Sequence, residues 1–257
     1  PPDSIGWKGI FIVLLILGVL LLFSNLHFKE SLSVDNRKRG NLKSLVSGFG
    51  IVLKNRRYVY YVLQMGFAMG VLFANISSSP FIVQQHYGFS AFEFSLFFGI
   101  NALAIGLAAG LSVKFKNPEH AMFLGSVGMT MMSAVEFVIL SNEYHFAVYE
   151  AVLFVLLFSM GLTFTASTTL AMDCERANSG TASALFGAAG FAFGGIVSPL
   201  VGLGDILSTT GLIFFVCSVC SLCFSVLAMN QTHTNLWGSF KCKMGPVTRF
   251  VFLRREK

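Results

Sequence analysis

The sequence predicts an all-α integral membrane protein with seven transmembrane helices, the last six forming one half-bundle of two inverted triplets. Three observations carry that prediction. Of the 257 residues, 54% are hydrophobic and 12% charged, with a mean hydropathy of +0.72; a soluble domain carries about 25% charged residues. Seven apolar stretches each approach the ~20 residues that a helix needs to cross a ~30 Å hydrocarbon core. Basic residues fall almost wholly into alternate loops.

The expected spans are 7–28, 59–80, 91–115, 118–140, 145–172, 180–203 and 209–229, and none has a Lys or Arg at its centre. Their start signals are local. Ser90-x-x-Glu93 is a capping box that opens the third span and gives Glu93 a structural role. Asn117-Pro118 places an N-cap before a proline at the first helical position of the fourth. Asn178-Ser179-Gly180 breaks the fifth span from the sixth.

Alternate loops lie on opposite faces of a membrane. One face collects 29–57, the turn at 114–116, the turn holding Arg176 and the tail after Met229, and with them 17 of the 18 Lys and Arg residues. By the positive-inside rule that face is cytoplasmic, which predicts a multi-pass protein of the cytoplasmic (inner) membrane. The net charge of +6 is then loop bias, not affinity for nucleic acid. The first apolar run is too long for a signal peptide. The chain opens on Pro1-Pro2 without Met and reads as a piece of a longer protein.

Four segments are expected: 1–28, the last helix of a missing first half; a cytoplasmic connector, 29–57; the six-helix bundle, 58–230; and a basic cytoplasmic tail, 231–257. Within the connector Leu42, Leu45, Val46, Phe49, Val52 and Leu53 follow the spacing of one helix face. An amphipathic helix in the interface is expected there, and the tail is expected to rest on anionic headgroups. Spans two to four and five to seven start on opposite sides because three is odd, the condition for an inverted repeat.

Small residues at spacing four recur: Gly66, Gly70 and Ala74; Ala102, Gly106 and Gly110; Ala184, Ala188 and Ala192, with Gly190 and Gly194 beside them. Such residues let helix backbones approach closely. Cys217, Cys220 and Cys223 lack the fourth cysteine of an iron–sulfur run and are expected to pack as small hydrophobes. No cofactor or metal is expected.

Several stretches together resemble a known family. "GWKGIFIVLLILG" at 6–18 with "KESL" at 29–32, "NALAIGLAAGLSVKF" at 101–115 and above all "SGTASALFGAAGFAFGGIVSPLVGLGD" at 179–205 are similar to major facilitator superfamily transporters. Within it they resemble the bicyclomycin/chloramphenicol-resistance (Bcr/CflA) branch of drug–proton antiporters, in its C-terminal half with the sixth helix. The chain departs from that pattern at Thr165-Ala166 and in the thinned turn Lys114-Phe115-Lys116. The resemblance implies export of small amphipathic drugs against proton entry, with drug, protons, membrane lipids and the missing N-terminal half as partners.

Candidate residues follow. Acids inside a membrane are costly and mark function by default, so Glu136 and Glu150 are the proton-coupling candidates. The resemblance assigns Glu136 a peripheral helix, and puts the main proton-carrying acid in the first helix of the missing half. Gln64, Phe67, Val71, Asn75 and Ser78 share one face of the second span; Ser159, Thr163 and Ser167 share one face of the fifth, with Phe164 adjacent. The substrate-binding candidates are Gln64, Phe67, Asn75, Asn101, Thr163, Phe164 and Ser167. Each has an interhelical hydrogen bond or packing contact as its alternative reading. Asp173 and Arg176 are gate candidates, alternatively a solvated turn. An intramembrane enzyme is a competing class, but the five histidines lie near span ends and form no H-E-x-x-H pair. A seven-helix receptor of the retinal type would need a mid-helix Lys, and no span has one.

Overall fold

The computed structural model describes residues 6–28 and 42–243, with side chains described for 47–231 of the second segment. The connector residues 29–41 and the tail 244–257, together with the side chains of Leu42, Leu45 and Val46, lie outside the described residues. The chain divides into two compact units, 1–43 and 44–257. Among the described residues every regular element is helical.

The first unit contains α1 (Gly6–Leu26), whose described apolar stretch is Phe11–Leu26. In the second, six helices are long and apolar enough to cross a membrane. In chain order the elements are α2 (Leu42–Leu53), α3 (Arg56–Pro80), α4 (Ala91–Ser112), α5 (Pro118–Ser141), α6 (Phe146–Cys174), α7 (Ser179–Leu200) and α8 (Ile206–Lys243). A 3-10 turn at Arg176–Asn178 joins α6 to α7, where Asn-Ser-Gly was expected to break the chain.

Most helix starts follow the predicted chemistry. Ser90 and Glu93 form the reciprocal capping box at the head of α4. The Asn117 side chain accepts the Glu119 N–H at 3.0 Å ahead of Pro118. His145 caps α6 by accepting the Ala147 N–H at its Nδ1. α8 starts at Ile206, three residues before the expected 209, because Asp205 accepts the Ser208 N–H at 2.9 Å. Those hydrogen bonds from Ser208 hold the Asp205 carboxyl below the ordinary aspartate range. At its other end α8 runs past the expected 229 to Lys243, through a stretch without proline.

Pro80 was expected to end the second span, and it does not. Proline lacks an N–H and crowds the carbonyl four residues back, so an α-helix cannot pass it unchanged. The chain instead widens into a π-helical turn, Phe81–His86, where Tyr87 N–H donates to Ile82 O at 3.1 Å. Gly88, at φ +75°, then supplies the left-handed residue that turns the chain toward α4.

Packing centres on α3 and α6. α3 packs on α7 and α8, α6 packs on α4 and α5, α5 meets α8, and α3 meets α6. Gly66 and Gly70 let α7 approach α3: a Cβ on Gly66 would stand 2.6 Å from the Phe193 ring, and one on Gly70 would stand 3.3 Å from Val197. Gly190 and Gly194 do the same for Met69 and Phe73. The other small-residue rows are not at these seams. Ala102, Ala184, Ala188 and Ala192 are exposed, and Cβ atoms on Gly106 and Gly110 would meet nothing within 4 Å. On α4 it is Ala104 and Ala108, fully buried, that face the partner. Spacing found the small rows but not their direction, because Gly and Ala carry too little hydropathy to mark an inner face.

Among its described side chains α2 contributes one fully buried residue, Val52, to the core around Tyr58, Tyr61 and Met122. Leu53, expected on the same face, is 49% exposed. Cys217 is buried, Cys220 half-buried and Cys223 exposed, all as free thiols. Asn55 ties the start of α3 to the end of α6. It caps Tyr58 N–H at 3.3 Å and donates to Glu175 Oε1 at 2.7 Å. Asn55→Ala should cost about 1–2 kcal/mol, the range for a lost N-cap, read as a lower midpoint of thermal unfolding in detergent.

Candidate functional site

Polar side chains enter the bundle at three levels along its length. The first lies where α3 begins and α6 ends. Arg57 Nη2 pairs with Glu119 Oε1 at 2.9 Å and Arg57 Nε donates to the Tyr61 hydroxyl at 3.2 Å. Tyr58 donates its hydroxyl to Ala182 O at 2.7 Å. Asp173 and Arg176, the gate candidates, pair with one another at 2.9 Å, with side chains 53% and 79% exposed. An exposed pair of this kind contributes little, a few tenths of a kcal/mol up to about 1. The helices are joined at this end by Arg57–Glu119 and Asn55–Glu175, neither of which was singled out from sequence. Loop acids and bases are too common for sequence to pick the pairs that meet.

The second level joins three helices. Gln64, fully buried, donates from Nε2 to Ser221 Oγ at 3.0 Å, and Ser167 donates its hydroxyl to Gln64 Oε1. Ser221 also donates to Gln64 O at 3.1 Å. α3, α6 and α8 are thus linked through two of the expected cavity residues, Gln64 and Ser167. Phe67 stacks on Phe224 with centroids 5.8 Å apart and meets Phe193 edge-on at 4.8 Å. Thr163 is fully buried in the α5–α6 seam opposite Gly125, hydrogen-bonded to Ser159 O at 3.3 Å. Phe164 is half-buried beside the α3 core. Val71 is fully buried.

The third level lies toward the Pro80 end. Asn101 Nδ2 donates to Glu150 Oε1 at 2.8 Å, bridging α4 and α6. Asn75 and Ser79 from α3 and Tyr149 from α6 line the same small cleft, with a cavity volume of about 10 Å³. Glu136 lies nearby on α5, fully buried, and neither of its oxygens has a hydrogen-bond partner. An unpaired buried carboxyl is costly, which sets Glu136 apart from the hydrogen-bonded Glu150. Phe97 lines the cleft and belongs to an aromatic cluster with Tyr87, Phe89 and Phe146, in which the Phe89 and Phe146 centroids are 4.3 Å apart. Of the sequence candidates, Asn75, Asn101 and Glu150 therefore come together. Ser79 and Tyr149 were not singled out. The run Ser77-Ser78-Ser79 before Pro80 was the available signal for the first; a tyrosine beside an acid gave none for the second.

Six membrane-length helices with amides and carboxylates inside the bundle define the class as a multi-pass α-helical membrane protein. Residues 3–199 match the Major Facilitator Superfamily. The chain is also 35% identical over 235 residues, 89% of its length, to the uncharacterized MFS-type transporter YdgK of Bacillus subtilis (strain 168). It covers 58% of that relative's own length. The chain belongs to the Major Facilitator Superfamily.

Proposed function

We propose that the chain is part of a secondary transporter that exports small amphipathic drugs in exchange for protons, as the C-terminal half of a major-facilitator protein with its sixth helix. The observation that carries this reading is the interior acid Glu150, held by Asn101 in a cleft between α3, α4 and α6. In a family of membrane transporters, an acid so placed is suited to take up and release a proton. Glu136 is the second candidate. Fully buried, it gives protonation a large energetic effect on packing.

Two further features support the architecture. The main helix contacts stay the same when α3, α4 and α5 are exchanged with α6, α7 and α8, as expected of a 3+3 repeat, with the smaller α6–α7 contact outside that pattern. α1 then stands as a seventh span and the last helix of the other half. The distribution of Lys and Arg supports a cytoplasmic face at the Arg57 and Arg176 end, in the inner membrane. The drug would bind between the two halves, because a cleft of about 10 Å³ is far smaller than the ~300–1,000 Å³ of ligand pockets. Protonation and drug favour different states of the transporter, and a ligand shifts that equilibrium only by its differential affinity. Asp173 and Arg176 are proposed to pair with the other half when the cytoplasmic side closes.

The test is drug accumulation in cells expressing the full-length gene, with and without a proton uncoupler. Expected is low accumulation that rises with uncoupler, and that rises equally in Glu150→Gln without one. Accumulation unchanged by the uncoupler across chloramphenicol-like and bicyclic compounds would overturn drug–proton exchange. A charge swap at Asp173 or Arg176 that leaves export intact removes the gate role.

A further inference from the structure

Four oxygen atoms around Glu150 have no hydrogen-bond partner: Asn75 Oδ1, Ser79 Oγ, Asn101 Oδ1 and the Tyr149 hydroxyl. Their residues are 2%, 4%, 5% and 1% exposed. All four line one cleft with the Glu150 carboxylate. They come from three helices, so the cleft is assembled by the fold and is not a property of one helix end.

The unpartnered atoms of this lining are all oxygens, although its two amides also bring N–H donors. An amide oxygen and a carboxylate can only accept hydrogen bonds, and each hydroxyl has one proton to give. The Asn101 amide has already committed a donor to Glu150 at 2.8 Å. No Lys or Arg occurs between Arg57 and Lys114 or between Lys116 and Arg176, so α4, α5, α6 and the rest of α3 bring no basic chain to balance the acid. A single water can donate to two of these acceptors and leaves the negative charge uncompensated. A small cation is a partner that each of these oxygens accepts, and it also offsets the charge.

The charge and donor set decide which cation. One carboxylate with neutral oxygens balances one positive charge. Ca²⁺ takes six to eight oxygens, usually with several carboxylates, and Mg²⁺ keeps several waters of its own. The cleft, with a cavity volume of about 10 Å³, has room for one small ion and falls far below the size of organic-ligand pockets. Hard oxygen donors of this kind suit an alkali cation.

We infer that the cleft binds a monovalent alkali cation, with Na⁺ as the probe, held by Asn75 Oδ1, Ser79 Oγ, Asn101 Oδ1 and the Glu150 carboxylate, and with the Tyr149 hydroxyl at its edge. The inference deepens the transport reading and rests on it for physiological meaning: Na⁺ and a proton would occupy the same carboxylate in turn. Binding itself needs only the cleft.

The experiment is thermal unfolding of the purified full chain in detergent, titrated with NaCl against choline chloride at matched ionic strength, beside equilibrium binding of radiolabelled Na⁺. Expected is a midpoint that rises and saturates with Na⁺ but not with choline, and label displaced by unlabelled Na⁺. Ser79→Ala and Glu150→Gln should each weaken the apparent affinity by about tenfold or more, or roughly 1.4 kcal/mol. Equal responses to the two salts, or no displaceable label on the parent chain, overturn the site and leave water as its occupant. Binding on the parent chain decides the question even where a variant fails to fold. Export without Na⁺ binding sinks the cation site alone; Na⁺ binding without export sinks the transport reading alone.

Discussion

Gly161→Val is expected to be one of the most damaging single substitutions in the bundle. A Cβ at Gly161 would collide with the Ile105 carbonyl and stand 2.9 Å from Ala108 Cβ and 3.0 Å from Ile105 Cα. Two of those three neighbours are backbone atoms of α4, so no side chain can swing away. The helix itself must move, and α4 is held mainly by α6. Overpacked sites cost ~1–3 kcal/mol, and this one should lie at or above the top of that range. The readout is the thermal midpoint in detergent, with Gly106→Val as control. A Cβ at Gly106 meets nothing within 4 Å, so that variant should unfold near the parent midpoint. Equal losses in the two variants would show that the α4–α6 contact is not what sets the cost.

Gln64→Leu is the second large effect. The substitution removes the amide that serves Ser221 and Ser167 and leaves the Ser167 hydroxyl without its acceptor in a fully buried site. Interhelical hydrogen bonds in membranes average about 0.6 kcal/mol and reach about 1.7. Two of them, with a stranded hydroxyl, should cost about 1–3 kcal/mol. Gln64→Leu with Ser167→Ala should lose less than the two single losses together, because the stranded group is gone as well. Additive losses would mean that the two side chains do not depend on each other.

The long apolar spans were legible because bilayer thickness sets their length and leaves little room for error. The caps at Ser90 and Asn117 were legible because capping depends on residues three positions apart or fewer. Pro80 misled for the same local reason: the rule that stops a helix at proline says nothing of neighbours that hold a wider turn beyond it. Direction within a span was harder. The inner faces of α3 and α6 show in sequence through Gln64, Asn75 and Ser167, all of which are buried. On α4 one buried polar residue, Asn101, marks the face that Ala104 and Ala108 share, whereas the buried residues of α7 include no polar side chain. The candidate site was half visible. Acids and amides in apolar sequence stand out singly, but which of them meet depends on crossings between helices far apart in the chain. Asn101 and Glu150 are 49 positions apart, and Gln64 and Ser221 are 157 apart.

That last separation has a meaning in time. Chains are synthesised at roughly 5–20 residues per second, so α3 enters the bilayer on the order of 8–30 s before Ser221 is made. For about the first two-thirds of that interval Gln64 has neither of its eventual partners, since Ser167 too lies downstream, by 103 positions. An amide in hydrocarbon does not stay unmet. The least apolar of the six spans, with a mean hydropathy of 1.5 in its best window against 2.5 for α8, therefore has to be sheltered by water, lipid headgroups or the insertion machinery until the helices that complete it arrive.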